Sequence, residues 1–345
     1  MRDLSKMSVP EMLGEGFICQ CGKRHATDVE QVHIGPGMIE KLPQVLKSLG
    51  KSHPYMVCDP NTWQAAGQRV DALLTKEGFE HTVCRLRDSF PEPDEKTLGQ
   101  AAMHFDKDCD IIVAVGSGVI NDTCKMLSMI SGRRSIIVGT APSMDGFSSN
   151  SSSMMVDGVK TTIYDPCPVA ILLDTDVLCK APMRMLQAGL GDILAKYVAL
   201  CDWKLAHLIN GDYYCENIAS LMRRALGTIR SLAPRLPQRD PETVARVGEG
   251  LVMSAITMSF AGSSRPASGL EHYFSHMWEM FDVEKGIRAD LHGIQVGVGT
   301  LLSLKIYEWL RQIKPDRARA EKMMREFDPD KWEADVRRRC GPAAV

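Results

Sequence analysis

Short, nearly continuous apolar runs alternate with helical patterns through the first half of the chain. Four runs predict strands that are covered on both faces, as in a parallel sheet. They are PYMVC at 54–58, DIIVAVG at 110–116, SIIVGT at 135–140 and VAILLD at 169–174. Intervening segments such as NTWQAAGQRVDALLTKEG have apolar residues at helical spacing and end in glycine. The alternation predicts a doubly wound, mostly parallel α/β sheet.

The remaining sequence, after residue 175, has no strand pattern and predicts long helices. Three of them are PMRMLQAGLGDILAKYVALCDWKLAHLI, PETVARVGEGLVMSAITMSFA and LHGIQVGVGTLLSLKIYEWL. Asp240 is expected to be the N-cap of the second, with Pro241 as its first residue. We therefore expect an α/β domain at 1–175 and an all-helical domain at 176–345. The serine-rich FSSNSSSMMVDG, residues 147–158, is expected to be a loop.

Composition excludes several classes of function. A hydrophobic content of 44%, a charged content of 24% and a net charge of -2 argue against a nucleic-acid partner. The N-terminus has no apolar leader, and no run approaches the roughly 18 uninterrupted apolar residues of a membrane span. We therefore expect a cytoplasmic protein without a membrane span.

The chain has 11 cysteines, scattered through apolar segments. This pattern predicts buried thiols in a reducing compartment and not a disulfide framework. The exception is CQCGKRH, in which Cys19, Cys21 and His25 could bind zinc. Because only three ligands are present and the Cys-x-Cys spacing is unusual for zinc, the segment favours a local turn over a metal site.

The segment DIIVAVGSGVINDTCKML predicts a strand, a glycine turn and a helix that begins near Val119. Gly116 and Gly118 would let the backbone and the helix N-terminus approach a phosphate. Asn121 replaces the third glycine of the dinucleotide fingerprint, so a tight connection without a ligand is an equal alternative. Asp59, which ends PYMVCD, could accept hydrogen bonds from a ribose, and GTAPSMDGFSSN would lie at the same sheet edge.

His272 and His276 lie four residues apart in EHYFSHMWEM and so share one helical face. His292 is near the start of the next helix, and Asp192 lies among apolar residues, where a carboxylate needs a partner. That partner could be Lys196, and a single buried histidine is more often structural. If Asp192 and two histidines meet, they suit a catalytic divalent cation such as zinc, nickel or iron.

Five motifs follow one another along the chain: DIIVAVGSGVIND, GTAPSMDGFSS, GLGDILAKYVALCDW, GLEHYFSHMWEM and LHGIQVGVGTLLSL. From about residue 33 to about residue 310, the chain resembles the sn-glycerol-1-phosphate dehydrogenase family, particularly its bacterial members. That family belongs with iron-type alcohol dehydrogenases, glycerol dehydrogenase and dehydroquinate synthase. The resemblance therefore implies a dehydroquinate synthase-like fold.

The resemblance also implies roles for individual residues. Asp192, His272 and His292 would bind one divalent metal. Asp145 and His276 would be the catalytic and substrate-contacting residues, and Asp192 would also contact the substrate. The NAD(P) contacts would be Asp59, Gly116, Ser117, Gly118, Val119, Ile120, Thr140, Ala141, Pro142, Ser143 and Ser149. Asp59 near the ribose disfavours a 2′-phosphate and so favours NADH.

These roles imply metal-dependent, reversible reduction of dihydroxyacetone phosphate to sn-glycerol 1-phosphate, a step in phospholipid metabolism. The metal would polarise the carbonyl, and His276 or a water would supply the proton. Lys160 and Arg288 are guesses for the phosphate contact. The family implies a homo-oligomer, a dimer or larger. Its members commonly continue beyond the position of GPAAV, but every candidate ligand lies upstream.

Other functions remain open on the same scaffold. A metal-dependent polyol or glycerol dehydrogenase would use the same site. A dehydroquinate synthase would also bind NAD and zinc, but it should have several basic residues around its larger substrate. An NAD-binding sensor without turnover would keep the fold, although the presence of all three candidate ligands argues against it.

Overall fold

The computed structural model describes residues 7–340. Six strands form one parallel sheet in the order β3-β10-β7-β6-β4-β5, while β1 pairs with β2 and β8 with β9 in antiparallel hairpins. The strands are β1 (Phe17–Ile18), β2 (Arg24–His25), β3 (Gln31–Gly35), β4 (Pro54–Cys58), β5 (Thr82–Arg85), β6 (Ile111–Gly116), β7 (Arg134–Gly139), β8 (Ser151–Val156), β9 (Val159–Tyr164) and β10 (Ala170–Asp174).

After β10, the elements of the described chain are all helical. The predicted class, an α/β region followed by a helical region, is therefore confirmed, and the domain boundary that we propose at residue 175 follows this change. The helices are α1 (Leu42–Ser48), α2 (Pro60–Thr62), α3 (Gln68–Lys76), α4 (Glu95–Met103), α5 (Gly118–Ser131), α6 (Thr175–Leu178), α7 (Met183–Asn210), α8 (Glu216–Leu232), α9 (Pro241–Ala261), α10 (Leu270–Glu284), α11 (His292–Leu310), α12 (Arg317–Glu326) and α13 (Pro329–Cys340).

The four predicted strands are β4, β6, β7 and β10, at the centre of the sheet. Every residue of β4, β6 and β10 is buried. Tyr55 and Val57 pack into the core on one face, and Met56 and Cys58 pack into the core on the other. Burial on both faces explains why these strands lack polar alternation. The edge strands β3 and β5 were not predicted, since they are partly exposed and contain polar residues.

The edge strand β3 is paired with β10 alone, in register from Gln31 opposite Ala170 to Gly35 opposite Asp174. The buried carboxylate of Asp174 accepts hydrogen bonds from the backbone N–H groups of Gly37 and Ile39, at 3.0 and 3.2 Å. One side chain from the end of β10 therefore fixes the turn that follows β3.

The loop prediction for 147–158 is wrong for residues 151–156, which form β8. This strand pairs with β9 through the turn at Asp157 and Gly158, whose φ angles are 51° and 75°. Two positive φ angles are what a two-residue hairpin turn requires, and Asp-Gly is a common pair for it. Ser152 and Met154 are buried on one face while their neighbours are partly exposed. The alternation of burial, which the serine content concealed, marks the strand.

Helix α9 begins as predicted. The carboxylate of Asp240 accepts a hydrogen bond from the N–H of Thr243 at 2.9 Å, and Pro241 is the first helical residue. Among the described helices, α9 alone is long and apolar enough by composition to cross a membrane, but 72% of its apolar window is buried inside the fold. Its apolar residues therefore belong to the core of the helical region.

Helices α7 and α11 approach each other through glycines. A Cβ atom at Gly191 would lie 2.3 Å from the carbonyl oxygen of Gly293, and one at Gly293 would lie 2.0 Å from that of Ala188. Real side chains do not make such short contacts, so only glycine allows this separation. Because Asp192 follows Gly191 and His292 precedes Gly293, the contact also brings these two side chains together.

We predict that Gly191→Ala lowers the free energy of unfolding by about 1–3 kcal/mol, because its methyl group must push α7 and α11 apart. Urea denaturation followed by circular dichroism measures the change. The control is Gly227→Ala in α8, where a Cβ meets nothing within 4 Å and better helix propensity should add about 0.5–1 kcal/mol. Equal effects of the two substitutions would contradict the glycine contact.

Candidate active site

The three side chains predicted to bind a metal lie together. Asp192 is in the third turn of α7, His272 is near the start of α10, and His292 is the first residue of α11. One ligand atom from each lies within 4.8 Å of those of the other two. Packing of α7, α10 and α11 therefore assembles, from distant parts of the sequence, the group that spacing alone could not establish.

The ring of His272 is held by the residue that precedes it. Its Nδ1 lies 2.8 Å from Oε1 of Glu271, which leaves Nε2 to face Oδ1 of Asp192 at 4.0 Å. Burial, reinforced by the charge of Lys196, holds the pKa of His272 well below its usual range. The imidazole is therefore neutral, and its Nε2 points toward Asp192. Metal-binding histidines generally have this arrangement, with the second ring nitrogen in contact with a carboxylate.

Asp192 also makes the ion pair with Lys196 that was the alternative to metal binding. Lys196 is fully buried, and its Nζ lies 2.7 Å from Oδ1 of Asp192 and 2.8 Å from Oδ2 of Asp145. Burial lowers the pKa of Lys196, but the two carboxylates outweigh this effect and raise it above the usual value. Lys196 is therefore a cation that holds two candidate site residues together.

Asp145 is fixed by its backbone as well as by its side chain. Its N–H donates to Oδ2 of Asp192 at 2.9 Å, and its own Oδ2 accepts a hydrogen bond from Ser254 at 2.8 Å. Although burial acts in the opposite direction, the charge of Lys196 lowers the pKa of Asp145. Asp145 is thus an ionised carboxylate beside Asp192, on the loop that follows β7.

Glu279 connects the two remaining histidines and was not identified from the sequence. Its carboxylate lies 3.3 Å from Nδ1 of His276 and 3.4 Å from Nδ1 of His292, and it forms an ion pair with Lys160. Burial raises the pKa of Glu279, but the hydrogen bonds from the two histidines hold it far below the usual value. The available signal was its position three residues after His276, on the same face of α10.

The three imidazole rings form one group. The ring centroids of His272 and His292 are 5.3 Å apart, and those of His276 and His292 are 6.0 Å apart. The side chain of His276 is 47% exposed, whereas that of His272 is only 8% exposed. Two histidines on one helical face thus have different environments, one buried beside Asp192 and one open to solvent.

This group of donors fits a divalent cation. Two neutral imidazoles and one carboxylate are a common ligand set for catalytic metals, and they leave coordination positions for a substrate. Each carboxylate oxygen of Asp192 has one hydrogen-bond donor and keeps a lone pair for a cation. Nδ1 of His272 contacts Glu271, and Nδ1 of His292 contacts Glu279. Each ring therefore keeps its Nε2 free for a cation.

The predicted nucleotide residues lie at the carboxyl ends of neighbouring strands. From β4 the chain moves to β5 on one side and then to β6 on the other, so the strand order reverses between β4 and β6. Ligands of open α/β sheets bind at such a point. Asp59 ends β4, Gly116 ends β6, and the N–H of Thr140, after β7, donates to the carbonyl of Gly116 at 2.9 Å.

Side chains join the glycine turn to the loop after β7. The hydroxyls of Ser117 and Ser143 are 2.7 Å apart, and Asn121 donates to the carbonyl of Gly146 at 2.9 Å. Helix α5 begins at Gly118, next to the predicted start at Val119. Asn121, which departs from the dinucleotide fingerprint, thus contributes by positioning the second loop.

Two other residues near this edge make hydrogen bonds to other groups of the protein. Oδ1 of Asp59 accepts hydrogen bonds from the N–H groups of Asn61 and Thr62, at 2.7 and 2.9 Å, and so caps α2. The buried Lys125, which was not singled out from the sequence, donates to Ser149 at 3.0 Å. For Asp59, the second carboxylate oxygen is the atom that could contact a ribose.

The two basic residues suggested for the substrate phosphate have different positions. Lys160 is on β9 and reaches the histidine group through its ion pair with Glu279. Arg288 instead packs its guanidinium 5.5 Å from the ring centre of Phe90 and donates to the carbonyl of the same residue at 3.4 Å. Of the two, Lys160 is the one in contact with the candidate site.

Known proteins resemble this chain in sequence and in fold. The sequence model for iron-containing alcohol dehydrogenases matches residues 33–182. The glycerol-1-phosphate dehydrogenase (NAD(P)+) of Halalkalibacterium halodurans is 35% identical over 294 residues, which are 84% of this chain and 74% of that protein. That of Pyrococcus furiosus is 36% identical over 287 residues, 82% of this chain and 80% of that protein.

Among solved structures, glycerol dehydrogenase from Schizosaccharomyces pombe has a TM-score of 0.69 at 20% identity and covers 83% of this chain and 73% of its own. At this identity the likeness shows the fold. The relatives from Halalkalibacterium halodurans and Pyrococcus furiosus define the chain as an NAD(P)-linked oxidoreductase. The chain belongs to the glycerol-1-phosphate dehydrogenase family, as its five motifs predicted, and NAD(P) with a divalent metal is consistent with that family.

We predict that Lys196→Met lowers the free energy of unfolding of the metal-free protein by about 3–5 kcal/mol, because two buried carboxylates lose their counter-charge. Urea denaturation gives the value. The control is Lys47→Met, which breaks a surface ion pair with Glu77 and should change stability by less than about 1 kcal/mol. Similar small losses in both variants would show that Lys196 is not needed to balance the site.

Proposed function

We propose that the protein catalyses the reversible, metal-dependent reduction of dihydroxyacetone phosphate to sn-glycerol 1-phosphate with NAD(P)H. The observation that carries this proposal is the group formed by Asp192, His272 and His292 beside the partly exposed His276. This group occurs in a chain of the glycerol-1-phosphate dehydrogenase family. A sensor that had lost turnover would have no need to keep both the ligands and their supporting carboxylates.

Individual roles are part of the same proposal. Asp192, His272 and His292 hold the cation. The nucleotide contacts are Asp59, Gly116, Ser117, Gly118, Val119, Ile120, Thr140, Ala141, Pro142, Ser143 and Ser149. When bound, the cation supplies a Lewis acid for the carbonyl oxygen, and NADH supplies the hydride. The position of Asp59 supports NADH over NADPH, since a carboxylate repels a 2′-phosphate.

His276 is proposed to move the proton. Its Nδ1 faces Glu279, which leaves Nε2 for the substrate. Reduction of a ketone places negative charge on its oxygen, and a protonated imidazole can donate to that oxygen near neutral pH. The carboxylate of Glu279 holds the ring through Nδ1, so proton donation would begin from an oriented histidine.

Asp145 is proposed to position the substrate. Lys196 and Ser254 hold Oδ2 of Asp145, which leaves Oδ1 to accept a hydrogen bond from the free hydroxyl of dihydroxyacetone phosphate. A carboxylate fixed in this way selects a substrate with a hydroxyl on the carbon next to the carbonyl. It also orients the carbonyl carbon relative to the nicotinamide, which determines the hand of the product.

We also propose that the protein works in the cytoplasm as a homo-oligomer. Support for assembly comes from large apolar side chains that stay exposed on the helical region. Leu208 and Ile209 on α7 are 68% and 77% exposed, and Leu301 on α11 is 62% exposed. A second copy of the chain would remove such surface from water.

The experiment that tests the function is NADH oxidation with dihydroxyacetone phosphate after chelation, with zinc, nickel or iron restored one at a time. A stereospecific glycerol-3-phosphate enzyme then tests the product. We predict metal-dependent turnover to a product that this enzyme refuses. Turnover of glycerol but not of dihydroxyacetone phosphate would instead indicate a polyol dehydrogenase.

In the same assay, we predict that Asp192→Ala and His292→Ala each abolish turnover and leave NADH binding intact, because they remove metal ligands and not nucleotide contacts. Fluorescence titration measures NADH binding. The matched control is His207→Ala, an exposed histidine at the end of α7, which should keep full activity. Wild-type turnover in either ligand variant would overturn the metal assignment.

For the substrate phosphate, we predict that Lys160→Ala raises the KM for dihydroxyacetone phosphate about 10- to 100-fold, as expected for loss of one charge-assisted hydrogen bond. NADH affinity should not change. Lys160→Arg should restore part of the loss, and Arg288→Ala is the control with an unchanged KM. The reverse pattern, with the larger effect at Arg288, would transfer the phosphate contact to that residue.

A further inference from the structure

A second group of potential metal ligands lies outside the candidate active site. Cys19, Cys21 and His25 come from the β1–β2 hairpin, where the sequence favoured a simple turn. The fourth member is Cys215, the N-cap residue of α8, which lies 190 positions along the chain from His25. All four ligand atoms lie within 4.8 Å of one another. The predicted turn is present. It also places three potential ligands beside Cys215, which the sequence spacing did not reveal.

Three of the six distances within this cysteine–histidine cluster match those of a tetrahedral site. The sulfur atoms of Cys19 and Cys215 are 3.8 Å apart, and Nε2 of His25 lies 3.7 Å from the sulfur of Cys215 and 3.5 Å from that of Cys21. Around a tetrahedral zinc with Zn–S of about 2.3 Å and Zn–N of about 2.0–2.1 Å, two sulfurs lie about 3.8 Å apart and a sulfur and a nitrogen about 3.6 Å apart. The separation of 3.8 Å between the sulfurs of Cys19 and Cys215 also shows free thiols and not a disulfide.

Neighbouring groups orient the ligands. Nδ1 of His25 lies 3.0 Å from the carbonyl oxygen of Phe260, and its ring stacks on the ring of Phe260 with centroids 5.3 Å apart. This contact assigns the proton to Nδ1 and turns the lone pair of Nε2 toward the three sulfurs. A metal-bound histidine commonly donates its other ring N–H to a backbone carbonyl.

Two of the three sulfur atoms lie beside polar groups that can donate hydrogen bonds to a thiolate. Asn217 donates to the sulfur of Cys19 at 3.2 Å, and the hydroxyl of Tyr213 lies 3.2 Å from the sulfur of Cys21. The N–H of Gly22 donates to the carbonyl of Cys19 at 3.0 Å, and Gly22 has a φ of 86°. Glycine at that turn therefore allows Cys19 and Cys21, which are separated by one residue, to direct their sulfur atoms toward the same point.

We propose that Cys19, Cys21, His25 and Cys215 bind one zinc ion in a structural site. Three thiolates and one imidazole in tetrahedral array select zinc over harder divalent cations. Four protein ligands leave no open position for a substrate, which distinguishes this site from the three-ligand group at Asp192. Cys19, His25 and Cys215 are 1%, 0% and 1% exposed, whereas Cys21 is exposed, so the ion would be enclosed on every side except that of Cys21.

The site would attach the N-terminal hairpin to the helical region. Strands β1 and β2 have two residues each, and a hairpin of that size is not stable alone in water. Cys215 belongs to α8 and Phe260 to α9, so the zinc would tie the hairpin to two helices at once. Because the ligands meet only in the folded chain, the free energy of zinc binding adds to that of folding.

The test measures the zinc content of protein whose active-site ligand group lacks Asp192. The Asp192→Ala variant, purified with reductant and dialysed, should contain one zinc per chain by mass spectrometry of the metal. Adding Cys21→Ser should reduce this to near zero, whereas adding Cys201→Ser, an exposed cysteine on α7 outside the cluster, should leave it at one. Cys21 is the least buried of the three cysteine ligands, so its replacement is the one that folding best tolerates.

Cobalt provides a second measurement that does not depend on zinc affinity or on activity. Cobalt-loaded Asp192→Ala protein should show thiolate-to-cobalt charge transfer and the intense visible bands of tetrahedral cobalt. Cys215→Ser should weaken the charge transfer, and Cys21→Ser should also lower the melting temperature. Folded, zinc-free Asp192→Ala protein without cobalt bands would overturn the proposal, and so would Cys21→Ser protein that keeps one zinc per chain. Neither result would bear on turnover of the wild-type enzyme.

Discussion

Contact between the backbones of α7 and α11 fixes the distances on which the candidate site depends. Gly191 and Gly293 let the two helices approach so closely that Asp192 and His292 face each other. Two residues closer to the start of α7, a Cβ at Gly189 would lie 1.7 Å from the carbonyl oxygen of Pro142, in the loop proposed to contact the nucleotide. A single helix thus positions one candidate metal ligand and the loop proposed to contact the nucleotide, and small residues set the separation of these elements.

Buried charge is the second constraint. A lysine enclosed with two aspartates is stable only when the three groups stay together, because each isolated charge would lose its hydration without compensation. Lys196 is thus compatible with metal binding at Asp192 and is not an alternative to it. Both explanations of Asp192 drawn from the sequence hold in part, since the ion pair is present and the carboxylate still has free lone pairs.

The sequence predicted the parts of the structure whose causes are local. The central strands, the N-cap at Asp240 and the helical start beside Gly118 follow from patterns within a few residues. The motifs also predicted Asp192, His272 and His292 as candidate ligands, and only packing could show that these side chains meet. Glu279 and Cys215 were missed for the same physical reason, because their significance lies in neighbours that tertiary structure supplies. The hairpin at β8 and β9 is different, since Asp157 and Gly158 were a local signal outweighed by serine content.

The pairing of β3 with β10 has a consequence for how the chain is made. Residues 31–35 emerge from the ribosome long before residues 170–174, yet β3 has no other partner in the sheet. The sheet must therefore be completed late, by a contact between distant segments, and such contacts form slowly. Until Asp174 is synthesised and binds the turn after β3, QVHIG is an unpaired strand that can associate with other nascent chains. The edge of the nucleotide-binding sheet is thus where synthesis in the cell most needs protection from aggregation.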